Sequence, residues 1–107
     1  MLLMKFGGTS VGDAERIRNV FEIVSAAKAR HPVVVASAHK GVTDLLFEAA
    51  RTAATGTVKA QKIREIHQRI LADLGLDVGL LDKLLSELEV LLKGISLVRE
   101  LTPRTLD

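Results

Sequence analysis

The chain has 107 residues, of which 48% are hydrophobic and 26% are charged, a composition typical of one small globular domain rather than of a disordered tail. Fifteen Lys and Arg residues stand against 13 Asp and Glu residues, which gives a formal net charge of only +2. With an aromatic content of 3%, this argues against a nucleic-acid-binding protein, because phosphates need dense positive charge and bases commonly stack on aromatic side chains. The absence of cysteine excludes disulfides, thiolate-bound zinc and a cysteine nucleophile.

The apolar segments of the sequence are short. No stretch approaches the roughly 20 consecutive apolar residues of a membrane-spanning helix. The opening run through Phe6 is also shorter than the apolar segment of a secretory signal peptide. We therefore predict a cytoplasmic protein with neither nucleic acid nor membrane among its partners.

The first third of the chain predicts a strand, a helix and a second strand. Leu2–Phe6 is a short apolar run that stops at two glycines, which indicates a buried strand ending in a tight loop. Asp13 is a good N-cap for a helix over residues 14–29, in which apolar residues recur at helical spacing. These apolar residues are Ile17, Val20, Phe21 and Val24. Pro32 disfavours a helix just before it, and the β-branched run 33–35 predicts a strand that is covered on both faces.

Such a unit brings its two strand-end loops together. Parallel strands joined by a right-handed crossover end at the same edge of the sheet, which is where open α/β sheets bind ligands. The loops after Phe6 and after Ala36 are therefore predicted to be neighbours. A further helix, capped by Thr43 or Asp44, is predicted up to the break at 55–57. Its predicted apolar face consists of Leu46, Phe47 and Ala50.

The rest of the chain is predicted to be helical. The predicted organisation is a strand-helix-strand part over 1–55, which holds the glycine loop, and a helical segment over 56–107. One apolar stripe consists of Ile63, Ile66, Ile70 and Leu74, and a longer one of Leu81, Leu84, Leu88, Leu91 and Ile95, widened by Leu85 and Leu92. The stripes suit a pair of antiparallel helices packed on a domain. Thr102-Pro103 is typical of the cap and first position of one more helix.

The strongest chemical signal follows the first strand. Gly7 and Gly8 allow the backbone to come close to a ligand and to present N–H groups to an anion. Thr9 and Ser10 add hydroxyl groups, and Lys5 adds a positive charge at the end of the strand. These residues indicate a phosphate cradle, although they match neither the Walker A pattern nor the Gly-x-Gly-x-x-Gly pattern. A plain strand-to-helix turn with a solvent-directed lysine explains the same residues as well.

A second signal follows the second predicted strand. Ser37 places a hydroxyl group at the end of that strand, and Thr43 places another at the start of a helix. Helix N-termini attract carboxylates and phosphates. Capping of the helix by Thr43 and Asp44 explains these residues equally well.

Three strings of the sequence resemble aspartate kinases of the amino acid kinase family. They are Lys5-Phe6-Gly7-Gly8-Thr9-Ser10-Val11-Gly12, then Val35-Ala36-Ser37-Ala38 followed by Gly41-Val42-Thr43-Asp44, and finally Leu101-Thr102-Pro103-Arg104-Thr105-Leu106-Asp107. The last string is similar to the stretch before the family's Ser-Phe-Gly-Glu motif. Related kinases usually share only Lys-x-Gly-Gly, so the longer first string favours aspartate kinases. The implied fold class is α/β, the N-terminal part of an amino-acid-kinase-type three-layer αβα fold.

The resemblance implies transfer of the ATP γ-phosphoryl group to the side-chain carboxylate of L-aspartate. The product would be 4-phospho-L-aspartate, for lysine, threonine and methionine biosynthesis. By position, Lys5 is the implied catalytic residue, the implied ATP-binding residues are Lys5, Phe6, Gly7, Gly8 and Ser10, and the implied aspartate-binding residues are Ser37 and Thr43. Mg²⁺ would arrive with ATP rather than at a metal site of the protein, and the full-length enzyme would be a homo-oligomer.

The sequence departs from the family at His39-Lys40, where Met or a small residue is more common. We predict that these two residues form a solvated loop pair rather than a catalytic site. His31 and His67 have no second histidine at ligand spacing, so neither is predicted to bind a metal.

Several motifs that aspartate kinases need for catalysis are not among the strings that this sequence shares with them. In aspartate kinases, the Glu of the Ser-Phe-Gly-Glu motif, the residues that clamp aspartate, most of the base pocket and the regulatory ACT domains come later than the position of Asp107. We therefore expect these 107 residues to be inactive alone. Two alternatives stay open: another member of the amino acid kinase family, or a non-catalytic helical module whose stripe from Leu81 to Ile95 docks on a partner.

Overall fold

A computed structural model of the chain describes the backbone of residues 1–101 and the side chains of residues 1–98. The elements are β1 (Leu2–Phe6), α1 (Ala14–Ala26), a 3₁₀ turn (Lys28–Arg30), β2 (Pro32–Ala36), α2 (Val42–Ala54), α3 (Gln61–Asp73) and α4 (Asp82–Leu101). They form two compact units, Met1–Thr43 and Asp44–Asp107. The helix start predicted at Thr102-Pro103 lies outside the described residues.

The first unit contains the predicted strand-helix-strand arrangement. β1 and β2 are parallel and pair in register from Leu2 opposite Pro32 to Phe6 opposite Ala36. Both strands therefore end at the same edge of the sheet, which confirms the predicted neighbourhood of the two loops.

Helix α1 begins as predicted but is shorter. The Oδ1 atom of Asp13 accepts a hydrogen bond from the Arg16 backbone amide at 2.9 Å, so the predicted cap is confirmed. The helix ends at Ala26 rather than at residue 29, because the chain tightens into the 3₁₀ turn and His31 adopts a left-handed backbone with φ of 51°. Of its four predicted apolar residues, three are half-buried, whereas Phe21 is exposed.

The prediction that β2 is covered on both faces is wrong. The side chains of Val33, Val34 and Val35 are 42–48% exposed. Within the described residues, the sheet has two strands of five residues each, and the first unit has one complete α-helix. That is too little surface to cover both faces of the sheet.

The core of the second unit lies where α2, α3 and α4 meet. Its buried members are Ala49, Ala53, Ala60, Ile63, Leu85 and Leu92, with Leu45, Leu81 and Leu88 packed against them. The predicted stripe of α3 is confirmed, because Ile63 and Ile70 are buried and Ile66 and Leu74 are half-buried. The three helices therefore enclose a small aliphatic core without aromatic residues.

The predicted apolar faces of α2 and α4 need correction. The predicted face of α2, formed by Leu46, Phe47 and Ala50, is exposed, and the helix buries Ala49 and Ala53 instead. In α4, Leu81 and Leu88 are half-buried as predicted, but Leu84, Leu91 and Ile95 are exposed and the deeply buried leucines are Leu85 and Leu92. Alanine is small enough to let neighbouring helices approach closely, so the face with the smaller side chains of α2 packs inside.

Within the described residues, none of the helices combines the length and the apolar character that crossing a membrane requires.

Candidate functional site at the strand ends

Two loops meet at the carboxyl edge of the sheet, one after β1 and one after β2. The Ser37 amide donates a hydrogen bond to the Phe6 carbonyl oxygen at 3.0 Å. Further along, the Lys40 amide donates to the Gly8 carbonyl oxygen at 3.1 Å. The backbone of the second loop is therefore bonded to the last residue of β1 and to the second residue of the first loop.

The loop after β1, residues 7–12, also folds on itself and is called here the glycine loop. The Ser10 amide donates to the Gly7 carbonyl oxygen at 3.1 Å, and the Gly12 amide donates to the Thr9 carbonyl oxygen at 3.3 Å. Within the part of the chain that the structure describes, the amides of Gly8 and Thr9 make no such hydrogen bond. These two N–H groups are therefore available to an anionic ligand.

The two adjacent glycines serve different purposes. A Cβ atom on Gly8 would lie 3.1 Å from the Ala38 carbonyl oxygen, so Gly8 lets the two loops come close. A Cβ atom on Gly7 would meet nothing within 4 Å. The open side of Gly7 is a place that a side chain would fill and that a phosphate group can approach, so the loop fits the nucleotide that the family resemblance implies.

The predicted hydroxyl and lysine residues are all exposed at this edge or beside it. Lys5 lies on β1 next to the glycine loop, and Ser10 lies within that loop. The Ser37 hydroxyl donates to the Ala38 carbonyl oxygen at 3.1 Å. Helix α2 begins at Val42, so the predicted caps, Thr43 and Asp44, lie in its first turn rather than before it. The site therefore offers hydroxyl groups and amides to an anion in an exposed setting.

Two residues that line a cleft beside the glycine loop were not predicted from the sequence as site residues. A cleft of about 280 Å³ is lined by Phe6, Thr9, Ser10, Arg16, Asn19, Val20 and Ile23. Arg16 and Asn19 come from α1, and their place just after the Asp13 cap is the only signal that could have indicated them. Ligand pockets usually measure about 300–1,000 Å³, so this cleft suits a small polar group rather than a whole nucleotide.

His39 is not the solvated residue that we predicted. It is half-buried, and its Nδ1 atom lies 2.6 Å from the Val11 carbonyl oxygen. Lys40 is exposed as predicted. The half-buried position of His39 reflects a contact with a residue 28 positions away in the sequence, which no local pattern reveals.

A cavity of about 540 Å³ in the second unit is lined by parts of α2, α3 and α4 and contains none of the predicted site residues. Among the described residues, no group of three or more His, Cys, Asp or Glu residues could hold a metal ion.

The fold and this edge together define an α/β protein whose candidate ligand site lies at the carboxyl ends of parallel strands. Residues 1–95 match the amino acid kinase family, and the chain belongs to that family. The predicted membership of the amino acid kinase family is thereby confirmed.

Among the proteins similar to this chain are aspartokinases from a plant and a bacterium. The chain is 38% identical over 112 aligned residues to Aspartokinase 2, chloroplastic, of Arabidopsis thaliana, an alignment that covers 98% of this chain and 21% of that protein. It is 46% identical over 80 residues to the Aspartokinase of Chlamydia trachomatis, which covers 74% of this chain and 18% of that protein. The chain therefore spans about a fifth of the length of these relatives.

A solved structure confirms the fold. The crystal structure of Clostridium acetobutylicum aspartate kinase superposes with a TM-score of 0.77 at 20% sequence identity. The superposition covers 87% of this chain and 23% of that protein. The predicted fold class, the N-terminal part of an amino-acid-kinase-type α/β fold, is confirmed.

Proposed function

We propose that this chain supplies the phosphate-binding loop and part of the aspartate site of an aspartate kinase. The reaction is transfer of the ATP γ-phosphoryl group to the side-chain carboxylate of L-aspartate, which yields 4-phospho-L-aspartate for lysine, threonine and methionine biosynthesis. The observation that carries this proposal is the glycine loop held against the loop after β2, with the Gly8 and Thr9 amides available. The aspartokinase relatives support it.

The proposed reaction requires the protein mainly to position the two substrates and to stabilise the negative charge of the phosphates. A carboxylate oxygen of aspartate forms a bond to the γ-phosphorus while the bond from that phosphorus to the bridging oxygen breaks, and ADP leaves. The carboxylate is already a nucleophile, so no general base is needed. Phosphoryl transfer of this kind is accelerated chiefly by fixed donors and positive charge at the phosphates.

Each predicted site residue has a role in the proposal. Lys5 stabilises charge on the transferring phosphoryl group, and the backbone of residues 6–8 with Ser10 binds the ATP phosphates. The exposed Ser37 and Thr43 hydroxyls accept hydrogen bonds from the α-ammonium group of aspartate or donate them to its α-carboxylate. Mg²⁺ arrives with ATP as part of the substrate, and no step uses a metal ion held by the protein.

The proposal extends to the whole enzyme. We infer a cytoplasmic homo-oligomer, in which residues 1–55 form the strand-helix-strand part and residues 56–107 form the helical segment.

Trapping of the acyl phosphate tests the proposed reaction. The polypeptide from the complete reading frame is expected to form a hydroxamate from hydroxylamine, ATP and L-aspartate, but not when glutamate, N-acetylglutamate or UMP replaces aspartate. Lys5→Met should lower kcat by about 10²-fold or more, because it removes a charge from the transition state. The matched control is Lys28→Met, which should leave kcat unchanged. Lys28 lies in the 3₁₀ turn before β2, at the end of that strand away from the glycine loop.

Two results would contradict the proposal: no hydroxamate from aspartate with the complete polypeptide, or equal activity of the Lys5→Met and Lys28→Met variants. The alternative of a non-catalytic helical module is favoured by the exposed Leu84 and Leu91 of α4. That module would form defined oligomers in sedimentation experiments and would show no response to ATP.

A further inference from the structure

The side chain of His39, in the loop after β2, makes a hydrogen bond to the glycine loop. Its Nδ1 atom lies 2.6 Å from the carbonyl oxygen of Val11. A carbonyl oxygen only accepts, so Nδ1 carries the hydrogen and donates. One neutral tautomer and the imidazolium both have that hydrogen, so the bond is compatible with either charge state of the ring.

The position of Val11 gives this bond its importance. Val11 is buried, and it lies at the end of the glycine loop, two residues before the Asp13 cap of α1. The backbone of the second loop already binds Phe6, the last residue of β1, and Gly8 of the glycine loop. The His39 ring adds a third attachment at the end of the loop, after the two amides that are available to a ligand.

We propose that His39 is a positioning residue for nucleotide binding. By holding the end of the glycine loop against the loop after β2, it keeps the Gly8 and Thr9 amides directed at the ATP phosphates. The inference rests on the proposed function. Because the other two attachments are backbone hydrogen bonds, His39 is the attachment that a substitution can remove while leaving the backbone unchanged.

Substitutions at His39 separate the hydrogen bond from the bulk of the ring. His39→Leu removes the donor, whereas His39→Asn keeps an N–H donor at the same distance along the side chain as Nδ1. In the full-length protein, His39→Leu is expected to raise the KM for ATP by about five- to tenfold, the usual effect of losing one partly buried hydrogen bond. The KM for aspartate should change less than about twofold. His39→Asn should restore the KM for ATP to within about twofold of the parent.

A matched control exists in the second unit. The Nδ1 atom of His67 lies 2.7 Å from the Ile63 carbonyl oxygen within α3. His67→Leu therefore makes the same chemical change and removes the same kind of bond outside the strand-end loops. It should leave the KM for ATP unchanged.

A measurement that does not need activity keeps this inference separate from the proposed function. Hydrogen exchange of the Lys40 and Gly12 amides, which donate to Gly8 and Thr9, should be faster in His39→Leu than in the parent and in His39→Asn. Unchanged exchange in His39→Leu, or equal impairment of the Leu and Asn variants, would overturn the positioning role. If the parent protein phosphorylates no aspartate, the proposed function falls, and the exchange data alone decide whether His39 holds the loop.

Discussion

At the scale of single residues, the candidate site depends on a difference between two neighbouring glycines. A Cβ atom at Gly8 would crowd the backbone of the facing loop, whereas a Cβ atom at Gly7 would point into open space. The sequence shows only that two glycines follow a strand. In the structure, Gly8 lies at the contact between the loops, whereas Gly7 has open space beside it.

This difference predicts that substitution by alanine affects stability at Gly8 and ATP binding at Gly7. Gly8→Ala should lower the free energy of unfolding by about 1–3 kcal/mol, because the added methyl group must displace the backbone at Ala38. Gly7→Ala should leave stability within about 0.5 kcal/mol of the parent but raise the KM for ATP, because its methyl group occupies the approach to the phosphates. Urea unfolding and steady-state kinetics measure the two effects. Equal stability of the two variants would contradict the assignment.

His39 shows the limit of sequence analysis at this scale. The Asp13 cap was predictable, because its partner lies three residues away and local rules govern it. The bond from His39 to Val11 joins residues 28 positions apart, and neither spacing nor composition marks it. Contacts between loops depend on how the strands bring them together, which is known only once the register of the sheet is known.

At the scale of elements, helices α3 and α4 are joined by an ion-pair network. The Arg64 side chain, 19% exposed, lies 2.8 Å from the Glu89 carboxylate and 3.3 Å from the Asp82 carboxylate. Two of its guanidinium nitrogens, Nε and Nη2, donate to the same Glu89 oxygen. A partly buried arginine with two acidic partners stabilises this helix pair more than an isolated surface ion pair would.

Removal of this arginine should destabilise the second unit. Arg64→Met keeps most of the aliphatic length but leaves two carboxylates without their shared cation, at an expected cost of about 1–2 kcal/mol. The loss relative to the parent should shrink in high salt, because salt screens both the lost attraction and the remaining repulsion. Urea unfolding at low and high NaCl measures it. Arg69→Met, an exposed arginine of the same helix, is the control, and an equal loss in both variants would refute the network's role.

The sequence did not show which apolar face of α2 and of α4 is buried. In α2, Leu46, Phe47 and Ala50 share helical spacing just as Leu45, Ala49 and Ala53 do, and the larger side chains suggested the wrong face. In α4, Leu84 and Leu91 have the same seven-residue spacing as Leu85 and Leu92, so spacing alone could not separate the exposed pair from the buried pair. Which stripe packs inside depends on the neighbouring helices, and a single sequence does not reveal them.

At the scale of the whole molecule, the described chain leaves much apolar surface in contact with water. In the first unit, the three valines of β2 are exposed, and each strand of the two-stranded sheet has one edge without a partner in the described residues. Exposed strand edges with β-branched residues are templates for pairing with another chain. The parallel pairing of the two strands was predictable from topology rules. The exposure of β2 was not predictable, because it depends on which other segments cover the sheet.

The 107-residue chain alone is therefore expected to self-associate through its sheet. Val34→Lys should lower the apparent molecular mass in sedimentation experiments at micromolar concentration, because a charge on an edge strand opposes pairing. Val90→Lys places the same charge at an exposed position of α4 and should leave the apparent mass unchanged. A monomeric parent chain, or equal effects of the two substitutions, would show that the sheet is not the surface of association.

The attachments of the glycine loop also bear on how freely its sequence can vary. Two of the three use the amides of residues 37 and 40, and every amino acid except proline carries that group. The hydrogen bond from position 40 to Gly8 therefore does not depend on which side chain occupies position 40. The third depends on a ring nitrogen at position 39, so a single missense change there removes it. The candidate site therefore combines backbone contacts, which only a change to proline would remove, with a side-chain contact that a single substitution can create or remove.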